Sequence, residues 1–86
     1  MEIDPRIEVA VAKVVDNQIE NGDPPETAIN YERLVRAGYT PVAAKNLIGC
    51  VVLAEVFTVL KSGKKYDHKR YVDALERLPQ RPDAVI

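Results

Sequence analysis

The chain has 86 residues, 47% of them hydrophobic and 29% charged, with a formal net charge of −1. A domain this small buries only about 60–65% of the surface its unfolded form exposes, and the near-neutral balance excludes a global pull toward nucleic acid or anionic membrane. The single cysteine, Cys50, excludes an internal disulfide and, in an apolar stretch, reads as a small hydrophobe.

Helix-start signals divide the sequence in order. Asp4-Pro5 joins a capping side chain to a proline at the first helical position, where the missing N–H costs nothing. Ile7, Val11, Val14 or Val15, and Ile19 then recur at helical spacing, predicting a helix over about 5–21 that Gly22 closes. Asp23 opens a second helix, about 24–37, as "DPPE" with Glu26 as capping-box partner. Its stripe is Ala28, Tyr31, Leu34 and Val35, and Gly38 ends it. Thr40-Pro41 starts a third over about 41–62, before Gly63. Asp67 caps a fourth, about 68–78, whose stripe is Tyr71 or Val72, Leu75 and Leu78; Pro79 stops it, and 79–86 read as a loose tail. No segment alternates with period two, and no connection is long enough for a domain boundary. The expectation is one all-α domain over 1–86: a compact four-helix fold around a long apolar third helix.

That third helix differs in kind. Within it, "NLIGCVVLAEVF", residues 46–57, is almost unbroken hydrocarbon. Leu47, Ile48, Val51, Val52, Leu53, Val56, Phe57, Val59 and Leu60 cover nearly every direction around the axis, so the helix must be enclosed. A membrane span needs roughly 20 mostly apolar residues. Here Lys45 and Glu55 bracket only nine uncharged positions, and a central charge costs about 2.5–3.5 kcal/mol, so 46–57 reads as protein interior. Three shorter helices have difficulty covering a helix about 30 Å long. A second copy is therefore expected to cover part of it in a symmetric homodimer, with Val52, Val56 and Val59 as interface or core-edge residues. Enclosure by its own chain is the alternative.

The order "VVDNQ", "GDPPE", "ERLVRAGYT", "NLIGCVVLAEVF", "KKYDHKRYVDALERL" resembles a family of small all-helical bacterial proteins of unknown function, over roughly residues 12–78. The resemblance implies histidines four apart at the start of the long helix and another in the first helix, a set able to hold a metal. Val42, Asn46 and Ala12 stand at those positions in this chain, while Asp16 and Glu55 stand where the family tends to be acidic.

The residue inventory argues against an enzyme and points to no cofactor. The only histidine, His68, follows a helix cap beside Lys69 and Arg70, and the only serine is Ser62, which gives no nucleophilic triad. Glu55 forms a narrow polar strip with Thr58 and Ser62. That strip reads as solvent-facing or as pairing Glu55 with a lysine from another helix. The sharper reading is a buried carboxylate with a raised pKa, or a metal or small-ligand site completed by Asp16. Lys61, Lys64, Lys65, Lys69 and Arg70 make a basic turn before a helix N-terminus, a weak anion-site candidate.

"ERLVRAGYTPVAAKNLI" has a helix-turn-helix layout, the alternative of a DNA-binding regulator, but offers only Thr40, Lys45 and Asn46 to a groove and no arginine for guanine. Residues 1–32 hold eight acids and two bases, and residues 33–86 ten bases and five acids. Packing one part on the other neutralises both without nucleic acid. The acidic "MEIDPR" start, with no apolar run, and the lone thiol fit a cytoplasmic setting.

Overall fold

A computed structural model describes residues 4–82. Four helices follow in order: α1 (Pro5–Asn21), α2 (Pro25–Arg36), α3 (Pro41–Ser62) and α4 (His68–Arg77). Three of the expected starts are built as the sequence proposes. The Asp4 carboxylate accepts from Arg6 N–H at 2.8 Å, the Thr40 hydroxyl from Ala43 N–H at 3.1 Å, and the Asp67 carboxylate from Arg70 N–H at 3.2 Å. Gly22 and Gly63 close α1 and α3 with φ of 62° and 66°, the left-handed conformation that favours glycine.

The start of α2 departs from expectation. Its N-cap is Pro24, with no side-chain cap bond. Asp23 instead belongs to the end of α1, its N–H donating to Gln18 O at 3.2 Å. Glu26 forms no capping box; its Oε2 faces His68 Nε2 at 3.4 Å. Of the expected tail, Pro79 and Gln80 complete a turn in which Gln80 N–H donates to Arg77 O, Arg81 and Pro82 form no regular element, and 83–86 lie outside the described residues.

α3 packs against all three other helices, and α2 does the same, whereas α1 and α4 do not pack on each other. The core is Val15 of α1, Leu34 of α2, Ala44, Leu47, Ile48, Val51 and Val52 of α3, and Tyr71, Leu75 and Leu78 at α4. Burying each fully enclosed aliphatic side chain contributes about 1.5–3 kcal/mol. α1 comes close to α3 at Gly49, where an added Cβ would lie 3.3 Å from Val11 Cγ1. The α1 stripe is only partly consumed: Val15 is buried and Val11 and Ile19 pack on the core, but Ile7 and Val14 are exposed.

By length and composition α3 as a whole is of the kind that can cross a membrane, a property the shorter window 46–57 does not show. In this fold Ala44, Leu47, Ile48, Val51 and Val52 belong to the core, while Val42, Val56 and Leu60 are exposed. Its two interior charges have internal partners, Lys45 with Asp16 at 2.9 Å and Glu55 with Arg70.

Candidate functional site

Because α1 and α4 stand apart on α3, a strip of α3 is left open between them. Two shallow hollows share this front. One is lined by Asp4, by Arg6, Ile7, Ala10, Val11 and Val14 of α1, and by Val52, Leu53 and Val56 of α3. The other is lined by Gln18, Val52, Glu55, Val56, Val59, Leu60, Tyr66 and Tyr71. Val52 and Val56 belong to both, so the hollows form one continuous apolar face. Val52 is its floor at 8% exposure, while Val56 at 44% and Leu60 at 74% stand out from it. Ile7, Val14 and Tyr66 are exposed around them. All three expected interface residues therefore lie on one face, with different parts: Val52 belongs to the core, Val59 is half-buried and Val56 is open.

The gap between α1 and α4 is bridged at depth by polar groups. Tyr71 OH and Thr27 Oγ1 both donate to Gln18 Oε1, at 2.7 and 2.8 Å. Burial pushes the Tyr71 phenol above its ordinary value, which keeps it a donor. This tie joins α1, α2 and α4 beneath the front, and nothing in the apolar stripes announces it.

Glu55 lies at the α4 edge of the face. Its carboxylate receives a two-pronged bond from Arg70, Nε to Oε1 at 2.9 Å and Nη2 to Oε2 at 2.6 Å, and accepts from Asp67 N–H at 3.4 Å. Such fork-to-carboxylate pairs are the stronger kind of charge-assisted bond. The expectation of a raised pKa is overturned: the Arg70 bond holds the Glu55 carboxyl below its ordinary value despite burial. Thr58 and Ser62 donate to the carbonyls of Ala54 and Thr58, so the remainder of the polar strip is satisfied within α3. Arg70 Nη2 also donates to Lys65 O at 3.3 Å. The pair is a strut that fixes the 63–67 turn, and with it Tyr66, at the edge of the face.

A group whose folded pKa is depressed adds stability above its unfolded value and loses it as pH falls through the folded one. Lowering the pH from above 4.5, the ordinary value for this carboxyl, should therefore weaken the fold. Glu55→Gln should lose less stability than the parent over the same acid range. Urea midpoints measured between pH 6 and pH 3 check this, and equal losses in both proteins would remove the strut.

Glu55 and Asp16 do not make a joint site. Asp16 lines a different hollow, behind α1, with Ala12, Val42, Lys45 and Asn46, and its carboxylate is taken by Lys45. The three positions at which the family resemblance implies histidines thus converge on that hollow, but carry alanine, valine and asparagine. Among the described residues no three His, Cys, Asp or Glu side chains gather as metal ligands.

The basic turn is divided in the same way. Arg70 is committed to Glu55, Lys69 pairs with Asp73 at 3.0 Å, and Asp67 occupies the α4 N-terminus. Lys61, Lys64 and Lys65 are exposed and have no ion-pair partner among the described residues. Of the groups offered to a DNA groove, Lys45 is held by Asp16 and lies 5.9 Å over the Tyr31 ring. His68 Nδ1 is 3.1 Å from the Tyr66 hydroxyl.

Compared with protein-family models, curated proteins and solved structures, the chain gives no significant match.

Proposed function

We propose that the chain is a small cytoplasmic association module of bacterial type whose working form is a homodimer closed over the α1–α3–α4 front. The observation that supports it is the open strip of α3. Val56 and Leu60 project from the same helix that supplies much of the core, with Ile7, Val14 and Tyr66 continuing the apolar surface on either side. Contiguous exposed apolar surface of this kind marks an interaction site, whereas scattered single residues do not. The strut and the polar tie hold both walls of the front in place, so the surface is presented ready-made.

A dimer that forms through the front couples folding to association, and its thermal midpoint then rises with protein concentration. Melting followed by circular dichroism over a hundredfold range of concentration tests this. A midpoint independent of concentration would count against self-association and leave the front to a different protein.

A further inference from the structure

We propose that the hollow behind α1 binds a small protonated aliphatic amine, its ammonium group at Glu8 and its hydrocarbon chain laid between α1 and α3 toward Val42. Val56, Val59 and Leu60 do not line this hollow, so the site does not depend on what covers the front. Its volume is about 500 Å³, within the roughly 300–1,000 Å³ usual for small-molecule sites. Small residues open it. The bare backbone of Gly49 lets Val11 approach α3, an added Cβ there lying 3.3 Å from Val11 Cγ1. On the flank of that contact α1 offers only the methyl group of Ala12, which is exposed and leaves the space beside it unfilled. Val42, Cys50 and Leu53 of α3 supply the apolar wall opposite.

Charge selects the occupant. Glu8 and Asp16 both line the hollow from α1, two turns and about 12 Å apart along the helix. Lys45 is the single base among the lining residues, and it is already held. Its ammonium group lies 2.9 Å from the Asp16 carboxylate and 5.9 Å over the Tyr31 ring. The Asp16 bond, with smaller contributions from Tyr31 and Glu20, raises the Lys45 pKa above its ordinary value. Three acids, Glu8, Asp16 and Glu20, thus stand on this side of α1 around one committed base. Glu8 is exposed and has no ion-pair partner among the described residues. An anionic head would meet these acids with no free cation to receive it, whereas a cation is drawn into their field. An ammonium group, with three donors and no acceptor, matches a free carboxylate. The chain behind it covers the apolar wall.

Hexylammonium is the probe, with hexanoate and hexanol as anionic and neutral counterparts of the same chain length. Titrated into the full chain and followed by NMR, hexylammonium should move the amide signals of Ala12, Asn46 and Cys50 along saturable curves. Hexanoate should bind about tenfold more weakly at low salt, with hexanol between the two. Glu8→Gln should weaken hexylammonium binding about fivefold, the upper range for an exposed ion pair, and leave hexanol unchanged. Ala12→Leu fills the hollow with a residue that favours the helix. It should abolish the saturable shifts while the circular dichroism stays that of the parent. Equal binding of the three probes, shifts confined to Val56 and Leu60 on the front, or undiminished binding in Ala12→Leu overturns the proposal. So does the absence of saturable shifts at the three lining residues. None of these outcomes bears on self-association, which the solution mass decides separately.

Discussion

Val52→Asp should unfold the chain, whereas Val56→Asp and Leu60→Asp should leave it folded and monomeric. The three residues lie on one face of α3, yet only Val52 belongs to the core, at 8% exposure against 44% and 74%. A carboxylate forced into the Val52 site loses its water, and that costs several kcal/mol. For 86 residues a total stability of roughly 4–13 kcal/mol is ordinary, so that cost takes most of the helical signal away. At Val56 or Leu60 the carboxylate stays in water, and surface changes of this kind are within about 0.5 kcal/mol for the single chain. In the pair the same carboxylate would be desolvated and the dimer lost. Circular dichroism and sedimentation on the three variants separate these outcomes. A folded Val52→Asp protein would show that the floor of the front is not core. A dimeric Leu60→Asp protein would show that the front is not the interface.

Ile48→Ala should cost about 2–5 kcal/mol, the range for emptying a fully enclosed aliphatic site. Ile48 is 0% exposed at the centre of α3, within the core that α1, α2 and α4 share. The loss is a large part of the whole stability, and the urea midpoint should fall accordingly. Ile29→Ala, at an isoleucine 60% exposed on α2, serves as the control and should change stability by no more than about 0.5 kcal/mol. Similar losses at both sites would contradict the placement of the core on α3.

The helices were legible because their ends are written in local chemistry. Asp4-Pro5, Thr40-Pro41 and Asp67 cap as their side chains dictate, and Gly22 and Gly63 stop the helices they follow. Asp23 misled because the same residue can open one helix or close another, and its N–H is needed by Gln18 O. The all-round apolar character of α3 announced that it must be covered, and the Tyr71–Leu75–Leu78 stripe named the part of α4 that covers it. What the sequence did not disclose is which arc stays open. That follows from the separation of α1 and α4, a tertiary fact that no periodicity carries. Gln18, at the join of three helices, was invisible for the same reason: an amide between Asn17 and Ile19 has no pattern to betray it. Glu55 stood out as an acid among hydrocarbon, but the residue that sets its charge state is Arg70, fifteen positions away and across a turn.

If α3 is long and apolar because two chains share it, light scattering on a gel-filtration column, at two protein concentrations tenfold apart, should give a mass near twice 9.6 kDa at both, or one that approaches it at the higher. A mass of 9.6 kDa at both would contradict it, and the open strip of α3 would then belong to a partner other than this chain.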